Sequence, residues 1–210
     1  MAFTSIDVKN SGIGYSEGMK KSTIVLLSIV GVLVLSVLWF ISAGNRLVGL
    51  DEGFNEARAQ VENVYQRRAD LIPNLVSTVK GYAKHEAEVL TQVTQARSQV
   101  GQVKLNSPAD LKKFDEAQGA LSQALSRLLV VAEKYPDLKA NQNFMELQSQ
   151  LEGTENRITV ERQRFNGAAR EFNQAIRTFP TSIVAGFRGF TPKEYFAAQA
   201  GAATAPKVEF

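Results

Sequence analysis

The chain has no cysteine and a single histidine, His85. Without thiols there can be no disulfide, thiolate zinc site, iron–sulfur cluster or cysteine nucleophile. One imidazole falls short of the two or three that common catalytic zinc sites take. The H-E-x-x-H, G-x-S-x-G, P-loop and G-x-G-x-x-G patterns are absent, and the glycines stand singly. No run of strand-type alternation has useful length. The formal net charge is only +3 over 210 residues, and the two signs are interspersed, so the clustered basic footprint of a nucleic-acid binder is missing. No nucleophile–base pair or ligand set is in view, and the expectation is a protein that is not an enzyme and holds no metal or cofactor.

The most prominent feature that is present is a charge-free apolar run over residues 22–44. A helix rises about 1.5 Å per residue, so roughly 20 residues cross the hydrocarbon core of a bilayer. This run is longer than the 7–15 apolar residues typical of a cleaved signal peptide, although Ser42-Ala43-Gly44 has the small residues of a cleavage site. The expectation is a transmembrane helix, with Trp39 at one interface and Lys20, Lys21 and Arg46 flanking it. Lysines abutting the N-terminal side predict a cytoplasmic N-terminus and an extracytoplasmic body. Residues 1–21 read as a short polar leader.

From residue 45 on, apolar positions follow helical spacing. Leu50, Phe54, Ala57, Val61, Val64, Arg68, Leu71 and Leu75 recur in alternating steps of four and three, a heptad seam. Two successive steps of four at Leu71–Leu75–Val79 insert a stutter. The stripe continues to Val100, predicting one helix from near Arg46 to there. Ser107-Pro108-Ala109-Asp110 reads as the capped start of a second helix, which ends before Pro136. A third helix begins near Asn141 or Asn143, carries a heptad stripe from Phe144 to Phe179 and stops at Pro180. Thr191-Pro192-Lys193-Glu194 reads as a capping box opening a short helix, and Val208 and Phe210 close a tail. The predicted class is all-α: a transmembrane helix, then an elongated antiparallel bundle of three long helices with a short C-terminal helix and tail.

Two stretches could carry chemistry. In Arg67-Arg68-Ala69-Asp70-Leu71-Ile72-Pro73-Asn74, the proline frees the carbonyl of Ala69 and clashes with it, predicting a kinked but continuous helix. Arg67 and Asp70 are spaced to pair. Arg68 lies on the seam and needs an acceptor, either the Ala69 carbonyl or Glu152, Glu155 or Asn156 of the third helix. These residues could form a ligand or partner site, but arginines locking the register of a bend is the favoured reading. In the second stretch, His85 and Glu86 lack the further ligands of a metal site, and His85 is expected to face solvent or a carboxylate.

The stretch "QRRADLIPNLVSTVKGYAKHEAEVL", followed by "YPDLKANQNFMELQSQLEGTENRI", two Phe-Asn pairs and the closing "KVEF", resembles the LemA family over nearly the whole chain from Asn45. The resemblance implies a bacterial protein with one N-terminal transmembrane helix, an antiparallel helical domain over 45–210 and no established enzymatic activity. It implies as partners the bilayer and envelope proteins, membrane metalloproteases among them. The expected function is a single-pass scaffold or adaptor of the inner membrane that self-assembles through helix faces. The alternatives are regulation of a membrane-bound metalloprotease and a ligand site or enzyme near Arg67, Arg68 and Asp70.

Overall fold

A computed structural model describes residues 21–83, 85–103 and 108–197. The chain divides into two units, Met1–Ser42 and Ala43–Phe210. The described residues form six helices and no strand: α1 Lys21–Tyr82, α2 Ala87–Gln102, α3 Pro108–Ala132, α4 Pro136–Lys139, α5 Gln142–Arg177 and α6 Thr181–Arg188. The predicted leader, Lys20, the cap at Ser107 and the terminal Val208 and Phe210 lie outside the described residues.

In the first unit, α1 from Lys21 onward exposes its apolar side chains on every side, with Leu35 68% accessible. A helix apolar all round is at home in hydrocarbon, and this one is long and apolar enough to cross a membrane.

The second unit has two apolar clusters. The first packs Ile72, Leu75 and Val79 of α1 with Val93 of α2, Leu121 and Leu128 of α3, and Phe144 of α5. The other packs Phe54, Val61 and Tyr65 of α1 with Phe114 of α3, Phe165 and Ala169 of α5, and Phe196 beyond α6. The pairings fix direction: Phe114 meets Tyr65 and Ser122 meets Arg68, so α3 runs parallel to α1. Glu155 meets Arg68 and Phe165 meets Phe54, so α5 runs antiparallel to it.

Two local expectations are corrected. The first helix does not reach Val100. It ends at Tyr82, the chain turns through Ala83–Glu86 with Glu86 N–H donating to the Ala83 carbonyl (3.2 Å), and α2 folds back on α1. The seam carries exposed Tyr82 and half-buried Glu86 at this point. A straight continuation would also leave Leu90, Val93 and Val100 without a partner, and the reversal buries all three. Periodicity cannot tell a hairpin whose two arms share a stripe from one long helix.

The short helix lies at Thr181–Arg188, not after Pro192. Gly189, at φ 73°, ends α6 in the left-handed conformation, with Phe190 N–H reaching back to the Ala185 carbonyl (3.1 Å). Residues 191–197 are not helical. The backbone groups of Lys193 and Phe196 are held by asparagine side chains of α5, which displaces the predicted capping box.

Elsewhere, the expected start of the third helix is seen as α5. Asn141 caps it by accepting from Phe144 N–H at 3.0 Å.

Candidate functional site

The two clusters meet at a polar layer. Arg68 falls between Tyr65 and Ile72 on α1, Gln118 between Phe114 and Leu121 on α3, and Thr154 between Leu151 and Ile158 on α5. All three are buried, Arg68 at 6% exposure. Arg68 donates from Nη1 to Glu155 Oε2 (3.1 Å) and from Nη2 to Ser122 Oγ (2.9 Å). Ser122 in turn donates to the Gln118 carbonyl (3.0 Å), and Thr154 Oγ1 donates to the Gln150 carbonyl (2.7 Å). The Gln118 side-chain amide has no hydrogen-bond partner among the described residues. A cavity of about 290 Å³ lies over this layer, lined by Arg68, Leu75, Ser122, Leu125, Leu151 and Glu152 among others.

α1 runs unbroken through Pro73. The Ala69 carbonyl, which the proline cannot serve, accepts from Arg97 Nε at 2.9 Å. The need for an arginine there was legible, but Arg97 supplies it across the α1–α2 hairpin rather than Arg68. Arg68 takes the alternative acceptor, Glu155. The expected Arg67–Asp70 pair is corrected too: Asp70 accepts from Gln66 Nε2 (2.9 Å), one helical turn back, and Arg67 is exposed.

The remaining candidates are dispersed. Pro73, Asn74 and Asn156 are exposed on their helices, and Glu152 accepts from Gln148 (3.1 Å). His85 is exposed in the α1–α2 turn. Glu86 accepts from the Tyr135 hydroxyl (3.2 Å), and desolvation followed by the hydrogen bond to Glu86 raises that hydroxyl's pKa. Lys21 opens α1, and Trp39 and Arg46 are exposed along it. Among the described residues, no three His, Asp or Glu side chains gather as for a metal ion.

A second polar node escaped the sequence reading. Arg162 of α5 donates to Asp115 (2.7 Å), to the Tyr65 hydroxyl (3.3 Å) and to the Ala197 carbonyl (2.8 Å), and its guanidinium lies 4.6 Å from the Phe196 ring centre. Burial pushes the Tyr65 hydroxyl up from its ordinary value, although the Arg162 charge opposes this. Desolvation works against the charge on Arg162, but Tyr65 and Asp115 outweigh it and raise its pKa.

Beside this node, Asn173 accepts from Lys193 N–H (2.7 Å) and donates to the Lys193 carbonyl (2.8 Å). Asn166 does the same for Phe196, at 2.9 and 3.1 Å. The two asparagines are one heptad apart, about 10.5 Å of helix, and the residues they hold are three apart, about 10 Å of extended chain. The two repeats therefore match in length. The signal was available in the repeated Phe-Asn pairs at 165–166 and 172–173: each Phe enters the core and each Asn grips the strap.

These features define an all-helical bundle preceded by an apolar helix, with Arg68 and Arg162 each bonded to acidic and hydroxyl side chains of neighbouring helices. The chain belongs to the LemA family, whose profile matches residues 57–210. It is 28% identical to Protein LemA of Metamycoplasma hominis, with 73% of this chain and 69% of that protein covered. It is 27% identical to Magnetosome protein MamQ 2 of Paramagnetospirillum magneticum and 26% identical to Magnetosome protein MamQ of Magnetospirillum gryphiswaldense, each covering 78% of this chain and 69% of the relative.

Proposed function

We propose that the protein is a non-enzymatic, membrane-anchored scaffold that presents its helical body at the bilayer surface and self-assembles there. The observation that carries this reading is the continuity of α1: the apolar run and the first helix of the bundle are one uninterrupted helix, Lys21–Tyr82. Confinement to a plane raises the effective concentration of copies for one another and for a neighbouring membrane protein. The buried polar groups support the same reading, because Arg68 and Arg162 are spent on intrachain bonds. The flanking lysines favour a cytoplasmic N-terminus and an extracytoplasmic body in the inner membrane.

Washing cell membranes with alkaline carbonate tests the anchor: the full chain stays in the pellet until detergent is added. Release by carbonate alone contradicts the anchor. Protease added to intact spheroplasts digests the body if it lies outside, and full protection reverses the orientation.

A second reading is favoured by the cavity over Arg68, which would admit a small ligand. Replacing Arg67, Arg68 and Asp70 by alanine separates the two: intact folding with lost cellular function supports a ligand site, and lost folding supports a structural one. Association with a membrane metalloprotease remains the alternative partner reading, and enrichment of such a protease on co-purification would support it.

A further inference from the structure

The exposed side of α6 has the composition of a membrane-interface element. Ile183 and Phe187 stand one turn apart on α6 and are 56% and 85% accessible, while Val184 and Ala185 are buried; Phe179, in the turn just before α6, is 77% accessible. These three large exposed apolar side chains fall within nine residues of chain, unlike the exposed apolar residues scattered singly on α3 and α5. The chain from Glu171 to Glu194 has no acidic residue between those two and contains Arg177, Arg188 and Lys193. Aromatic and aliphatic side chains on one face with cations beside them are the signature of a helix lying in a headgroup region, and anionic lipid favours the cations.

Position in the fold points to the same place. The Arg188 guanidinium crosses Gly44 so closely that a Cβ there would lie 2.6 Å from it. Gly44 is the last residue of the charge-free run, so Arg188 of α6 meets the chain where that run ends.

We propose that α6 lies in the interface of the bilayer that the 22–44 run crosses, inserting Phe179, Ile183 and Phe187 among the lipids with Arg177 and Arg188 at the headgroups. This rests on the anchored reading given above. The helix would then be a second attachment of the body, holding its base against the membrane surface.

The chain contains no cysteine, so nitroxide labels can be placed by single substitutions. Full chains carrying Ile183→Cys, Phe187→Cys, Leu35→Cys or Met145→Cys are reconstituted in phosphatidylcholine–phosphatidylglycerol vesicles, and the accessibility of each label to oxygen and to a water-soluble nickel chelate is compared. All four positions are exposed. Met145 is in the first turn of α5, about 45 Å of helix from the α6 end. The expected result is lipid-type accessibility at 35, 183 and 187, with an oxygen-to-nickel ratio several-fold above that at 145. Lipid-type accessibility at 35 with aqueous values at 183 and 187 overturns the interface role and leaves the anchor standing. Aqueous values at 35 refute the anchor and the interface role with it.

Discussion

Arg68 shows how one buried cation can set geometry. Its partner Glu155 is 41% exposed on its side chain and returns to water if the arginine is replaced, whereas the Arg68 side chain is only 7% exposed. The two ends of the pair are therefore unequal. Arg68→Met is expected to cost less than about 1.5 kcal/mol, and Glu155→Ala, which strands a buried charge, about 2 kcal/mol or more, measured by denaturant unfolding. The reverse order would show that the arginine's hydrogen bonds outweigh its desolvation. The Arg97 bond to the Ala69 carbonyl makes a second prediction. Pro73→Ala gives that carbonyl a backbone donor, so Arg97→Ala should be cheaper by about 1 kcal/mol in that background than alone. Tyr65 gives a pH dependence. Its hydroxyl pKa is raised on folding, so the folded state holds the proton more tightly than the unfolded chain. That contribution is complete below the ordinary value of 10.0 and is lost as pH rises through the folded pKa. Alkaline destabilisation above pH 10 should be smaller in Tyr65→Phe than in the unmodified chain.

At the scale of elements, the sequence disclosed the stripes but not their turning points. The heptads placed Phe54, Val61, Leu71, Leu75 and Val79 in the core, along with the faces of α3 and α5. They could not disclose that α1 and α2 are two arms of a hairpin, because the stripe repeats on both sides of Ala83. The capping-box pattern at Thr191 lost to a tertiary competitor, the side-chain amides of Asn166 and Asn173, which no local rule weighs against a helix start. Those amides make a prediction about the strap. Asn166→Ala and Asn173→Ala should each cost about 1–2 kcal/mol and speed hydrogen exchange at the Phe196 and Lys193 amides, respectively. Gln174→Ala, on the exposed side of α5, should change neither.

At the scale of the molecule, a polar layer of Arg68, Gln118 and Thr154 lies between the two apolar cores of the bundle. Arg68 and its acidic partner on the third helix were legible from the seam. Thr154 stood on the heptad stripe of that helix, but Gln118 was not legible, because a polar residue at a core position carries no mark of its partners until the helices are placed. Arg68 and Arg162 are bonded within the chain, so the proposed self-assembly would run through the outer helix faces, and it is the central claim. The molar mass of the full chain, extracted in mild detergent and measured by multi-angle light scattering with the micelle contribution subtracted, tests it most directly. A protein mass of two or more chains that persists on dilution is the predicted result, and a single-chain mass at every concentration would contradict it.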